Sequence, residues 1–238
     1  MKTKSVIFSI MLVAISAIVL NACKKDVNPT YPSAPAPAVV TVPVGNYPAG
    51  LGSSPGTPVC KPFVLPSNIV LLGQIQSASF KSTGFNKENQ NIEDFIFNPK
   101  TTSVSIGSGS LVQFYMKFFN KSPLPTTFII PGGLMFLPED TTTQTGTTVQ
   151  PDTLIIPGND SVLCYVRTYC TNLHKHTPNN TKYKMLGTTL HNDLWTMVDI
   201  LKNKKKLDQG SQVQSIIWNI TDHGGLTDAD RIYLNNLP

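Results

Sequence analysis

Thr102-Ser-Val-Ser-Ile106, Gly107-Ser-Gly109 and Leu111-Val-Gln-Phe-Tyr-Met-Lys-Phe-Phe119 form the run whose reading decides the fold. The first piece alternates apolar and hydroxyl side chains. Gly-Ser-Gly then turns the chain, and a long aromatic piece follows. Alternation with period two presents one row of side chains to a core and the other to solvent, which is the signature of a strand. Branched and aromatic residues also fit a pleated surface.

The same grammar extends outward. Phe128-Ile-Ile130 is stopped by Pro131-Gly132-Gly133, Leu134-Met-Phe-Leu137 follows, and Thr153-Leu-Ile-Ile156 is stopped by Pro157-Gly158. Val162, Cys164, Val166, Thr168 and Cys170 alternate with Leu163, Tyr165, Arg167 and Tyr169. Short strands broken by Pro and Gly predict an antiparallel β-sandwich. Upstream, Ser67 reads as the cap of a short helix through Ile69, Leu72 and Ile75. After Cys170 the period changes. Leu190, Leu194, Met197, Val198 and Leu201 follow helical spacing, with Lys202, Lys204, Lys205 and Lys206 at the end. Ser211 is the expected cap of a second helix with the stripe Val213, Ile216, Ile217 and Ile220, and Thr227 that of a third. The expected class is α+β: an antiparallel β-sandwich followed by a small C-terminal helical segment, in one domain over residues 60–238.

Before that domain the composition shifts. Residues 23–59 contain Tyr31-Pro-Ser-Ala-Pro-Ala-Pro-Ala38 and Gly45-Asn-Tyr-Pro-Ala-Gly-Leu-Gly-Ser-Ser-Pro-Gly56, which read as a Pro/Gly/Ser-rich tether. Residues 1–22 carry Lys2 and Lys4 and then an apolar run to Leu20, the layout of an export signal and short for a membrane span. The run ends at Leu20-Asn21-Ala22-Cys23, which resembles the bacterial lipobox. That resemblance implies cleavage before Cys23 and lipidation of its thiol by palmitate-type chains. The result is a lipoprotein held by its lipid in the cell envelope, on the outer membrane. Loss of Lys2 and Lys4 lowers the formal net charge from +5 to +3, a mildly basic body and not a nucleic-acid footprint.

Cys60, Cys164 and Cys170 remain. Cys164 and Cys170 lie six residues apart, on the order of 20 Å along an extended strand. A disulfide needs Cα atoms closer than about 7 Å, so the two do not pair unless the strand is broken. Cys60 is left open to pairing with either Cys164 or Cys170.

Two short segments bracket the change from strand to helix: Arg167-Thr-Tyr-Cys-Thr-Asn172 and Val213-Gln-Ser-Ile-Ile-Trp218. Together they resemble the thioester domains of bacterial surface adhesins, which carry a Tyr-Cys pair on one segment and a hydrophobic-Gln-x-x-x-Trp pattern on a helix. The resemblance implies an internal thioester between Cys170 and Gln214, shielded by Trp218, and adhesion by covalent capture of amines. A thiolate attacks the Gln amide carbon and expels ammonia, and a partner's amine then opens the bond once, without turnover. The chain is accordingly expected not to be an enzyme and to need no cofactor or metal. Residues at i and i+4 share a helix face, which would set Trp218 beside Gln214.

Two other readings stand beside this one. The first is a tethered module that binds a surface protein or glycan non-covalently through outward Tyr165, Arg167 and Tyr169. The second is a metal-dependent site of Cys170, His174 and His176, with His191 and His223 joining through folding. The Gly-x-Ser-x-Gly, His-Glu-x-x-His, P-loop and dinucleotide patterns are all absent from the sequence.

Overall fold

A computed structural model describes residues 48–78, 102–205, 207 and 212–238. The signal segment, Cys23, most of the tether, Lys206 of the lysine run and the expected cap Ser211 lie outside the described residues.

Among the described residues ten strands come first: β1 (Cys60–Pro62), β2 (Ile69–Ser77), β3 (Thr102–Gly107), β4 (Val112–Asn120), β5 (Thr126–Ile130), β6 (Leu134–Pro138), β7 (Gly146–Thr147), β8 (Asp152–Ile156), β9 (Ser161–Cys170) and β10 (Lys182–Thr189). Three helices follow among the described residues: α1 (Asn192–Leu201), α2 (Gln212–Asp222) and α3 (Asp228–Asn236). Strands first and helices last is the expected order. The expected sandwich, however, is replaced by a barrel. Strands pair antiparallel in the order β10-β2-β4-β9-β7-β6, and β10 then pairs with β6 to close the ring of six. The reason is β10, which bonds β2 with Lys182 and Tyr183 and bonds β6 from Tyr183 to Thr188. Closure removes the open sheet edges that a sandwich would leave. Outside the ring, β1 pairs with β10, and β3 runs parallel to β9. The ribbon β5–β8 forms a separate small sheet.

The strand alternation builds the barrel core directly. Along β4, Val112, Phe114, Met116, Phe118 and Asn120 are buried, and the residues between them are half-buried. Phe114 meets Phe136 at 4.4 Å and Tyr183 at 5.4 Å between ring centroids. Cys164, Val162 and Val166 of β9 face the same core. The β5–β8 ribbon adds Phe128, Ile130, Leu154 and Ile156 to it, so the second layer expected of a sandwich is only a two-stranded ribbon.

The helix expected from Ser67 is instead strand β2. Its pairing with β4 shifts register between Leu72 and Gln76, around Gly73 at φ 69°. A bulge there breaks the two-residue alternation, so Ile69, Leu72 and Ile75 imitate a helical stripe. The C-terminal helices form a second core. Leu194, Met197, Leu201, Val213, Ile216, Ile217, Ile220 and Leu234 pack with Met135 and Tyr169, whose side chains leave the barrel on its outer side. Helix α1 is capped by His191, whose Nδ1 accepts from Leu194 N at 3.4 Å; burial lowers its pKa, which suits a neutral cap. Helix α3 has a full capping box between Thr227 and Asp230. The lysine run after α1 is anchored to the protein. Lys202 pairs with Asp199 at 2.6 Å, and Lys204 Nζ donates to Leu237 O at 2.7 Å.

Cys164 is fully buried in the barrel, and burial pushes its thiol from 9.0 up to about 12. The fold therefore favours the protonated thiol, whereas the unfolded chain releases its proton from about pH 9. This contribution to stability is complete below pH 9 and declines as the pH rises toward 12. Urea denaturation across that range is expected to show stability falling less steeply in Cys164→Ala than in the wild type; equal slopes would contradict the assignment.

Candidate functional site

The site forms where β9 runs out of neighbours. Strand β4 begins at Val112, opposite Thr168. Beyond that point β9 continues to Cys170 with β7 on its other side, where Gly146 stands opposite. The missing neighbour is supplied by a side chain. Cys170 N donates to Gln214 Oε1 at 2.9 Å, and Gln214 Nε2 donates to Cys170 O at 2.8 Å. One carboxamide thus satisfies both backbone groups of one residue, across 44 positions of sequence. Cys170 is fully buried and Gln214 is 3% exposed.

Helix α2 presents Gln214 because its apolar stripe, Val213, Ile216, Ile217 and Ile220, is sunk in the helical core. Trp218, one turn on from Gln214, packs against the barrel core. Its indole N–H lies near enough to Cys170 to favour the thiolate, yet completes no hydrogen bond among the described residues. The Cys170 sulfur touches both backbone groups of Asn172. It accepts from Asn172 N and donates to Asn172 O, each at 3.3 Å. Burial is the main cause that pushes the thiol up to about 11. The Asp222 charge adds to the rise, and Asn172 N–H, Trp218 and Lys175 oppose it. At neutral pH the resting group is a thiol.

This geometry has a clear chemical capacity. When a nucleophile adds to the Gln214 amide carbon, charge develops on Oε1. The Cys170 N–H already points there, as an oxyanion-hole donor must. The sulfur belongs to the same residue whose backbone holds the amide.

A second feature lies in the stretch expected to be tether. Residues 48–56 fold as turns over the Cys170 turn. Leu51 is 2% exposed in the helical core, and Gly52 N donates to Thr171 O at 2.8 Å. Asn172 pins this strap: Nδ2 donates to Gly50 O at 3.1 Å and to Gly52 O at 2.9 Å, and Oδ1 accepts from Thr145 N at 2.9 Å. A Cβ on Gly52, at φ 55°, would lie 2.1 Å from Thr221 O of α2. The sequence signal for the strap was only Leu51 among small residues. Asn172 closes the Arg167–Asn172 segment, and its role follows from the strap it holds.

The other candidates separate. Cys60, Cys164 and Cys170 form no disulfide: Cys164 lies in the barrel core and Cys60 packs against the helical core, where burial pushes its thiol up to about 11. The backbone of His176 is engaged with Thr142 and Gln144, and the described residues hold no cluster of His, Cys, Asp or Glu arranged for a metal. Of the outward row on β9, Tyr169 is buried at 1% exposure beneath the helices. Tyr165 is half-buried, stacks near Tyr115 at 5.3 Å and donates to Gln113 Oε1. A cavity of about 210 Å³ lined by Ser110, Leu111, Gln113, Thr177 and Pro178 includes neither Cys170 nor Gln214. No family model, curated protein or solved structure matches the chain.

Gly52→Ala is expected to detach the strap and to lower stability by about 1–3 kcal/mol, through forced contact and positive φ. In a Gln214→Ala background the Cys170 thiol is free to react, and native-state alkylation followed by peptide mapping reads the effect. Cys170 labelling should accelerate while Cys164 stays protected. Acceleration at both cysteines, or at neither, would show that the strap is not a local cover.

Proposed function

We propose that the chain is an envelope lipoprotein, anchored through lipid on Cys23, that captures amine-bearing surface molecules through a Cys170–Gln214 thioester. The resemblance to the thioester domains of surface adhesins supports this reading. The observation that carries it is the reciprocal pair of hydrogen bonds between the Gln214 amide and the Cys170 backbone.

In the first step the Cys170 sulfur adds to Cδ of Gln214 and loses its proton. The C–N bond breaks, the proton passes to nitrogen, and ammonia leaves. Developing charge on Oε1 is met by Cys170 N–H. The product is an acyl donor kept from water by Trp218, by Ile217 on the same helix and by the strap. In the second step a primary amine adds to the same carbon. A C–N bond forms, the C–S bond breaks, and a proton returns to sulfur. The partner is left joined to Gln214 by an amide. Nothing regenerates the thioester, so each molecule acts once and is not an enzyme.

Intact mass of the chain from residue 24 to 238, before and after methylamine, tests the proposal. A mass lower by one ammonia is expected, followed by addition of one methylamine. Neither change should occur in Cys170→Ala or Gln214→Ala. An unmodified wild-type mass would remove the thioester. It would favour a tethered module that binds glycan or protein non-covalently, with Tyr115 and Tyr165 paired on the outer barrel face.

A further inference from the structure

We propose that Asp222 determines which nucleophile reaches the Cys170–Gln214 pair, by selecting amines that arrive as cations; this rests on the thioester reading above. Asp222 is the last residue of α2, where the helix dipole already carries negative charge, and no basic residue stands in that last turn. One carboxylate oxygen, Oδ2, accepts from Thr221 Oγ1 at 2.7 Å and from Leu173 N at 3.4 Å. The other, Oδ1, is buried and has no hydrogen-bond partner among the described residues. The ion pairs of the described residues, Lys202 with Asp199 and Arg231 with Asp193, do not include it. Lys175, the cation that acts on the Cys170 thiol, is half-buried and is not among those ion pairs.

The carboxylate is tied to the thiol through one peptide group. The carbonyl of Asn172 accepts from Cys170 Sγ at 3.3 Å, and the N–H of the same peptide, on Leu173, donates to Asp222 Oδ2. On the strap side, a Cβ at Gly52 would sit 3.1 Å from Oδ1, so glycine leaves that oxygen without a side chain against it. A carboxylate at the wrong end of a helix with one bare buried oxygen is costly to folding. A cation seated on Oδ1 removes both costs, and that cation is the incoming ammonium. The ammonium held at Oδ1 loses one proton to water and becomes a neutral amine. That amine adds to Cδ of Gln214 and the C–S bond breaks. The second proton of the amine passes to the Cys170 sulfur.

The test compares methylamine, cationic at neutral pH, with hydroxylamine, which is neutral there. The loss of the thioester is timed by intact mass in the wild type and in Asp222→Asn. The variant should slow the methylamine reaction on the order of tenfold and leave hydroxylamine within about twofold. Parallel changes, or no change, would overturn the role of Asp222 while leaving the thioester intact. A wild type that shows no loss of ammonia would remove the thioester reading and this inference with it. Where Asp222→Asn does not fold, as judged by alkylation of Cys164, salt dependence in the wild type decides. Added salt should slow methylamine and not hydroxylamine, and equal responses would overturn the role.

Discussion

A strand that outlasts its neighbour must find other partners for its backbone, and at the end of β9 that partner is one glutamine. Past Val112 no β4 residue stands beside Cys170, and the Gln214 amide takes both of its backbone groups. Each bond is buried, so its loss would leave an unsatisfied donor or acceptor costing about 1–3 kcal/mol. The two cores meet at this point. Tyr169 enters the helical core and Cys170 the barrel core, as alternation along a strand dictates. The position of α2, the strap and the helical layer all follow from how β9 is finished.

The polar defects of the molecule gather around the same turn. Among the described residues, four buried side-chain atoms lack partners: Gln144 Oε1, Thr145 Oγ1, Trp218 Nε1 and Asp222 Oδ1. Gln144 Nε2 bonds Lys175 O, and Thr145 N bonds Asn172 Oδ1. Trp218 and Asp222 both act on the Cys170 thiol. Elsewhere buried polar groups are well served. Asn120, fully buried, donates to Leu124 O and Ile156 O and accepts from Asn68 and Ser122. Natural chains break local rules chiefly where function requires it, and here the exceptions cluster on one residue's surroundings.

What could be read in the sequence depended on how local the signal was. The alternation of β4 and β9 and the apolar stripes of α1 and α2 are short-range patterns, and the structure follows them. The Cys170 and Gln214 pair was marked by residue types on two short segments, and the fold brings those segments into contact. Closure of the barrel was not legible, because it depends on β10 bonding two strands far away in sequence. Nor was β2, where the bulge at Gly73 scrambles the period. The strap escaped for a different reason. Gly and Pro composition reports backbone freedom in isolation, and says nothing of carbonyls that an asparagine more than a hundred residues later will hold.

That last contact gives the site an asymmetry. Gln214 and Trp218 are fixed by a helix whose apolar face is locked into a core, so they cannot withdraw without unpacking Val213, Ile216 and Ile217. The strap is fixed by one buried leucine and a few backbone hydrogen bonds to Asn172 and Thr171. Turns held by few apolar contacts open at lower free energy than helices buried along a full stripe. Of the walls around Cys170, the strap is therefore the one that yields first, and a reagent approaching the sulfur meets the least resistance between Gly52 and the end of α2.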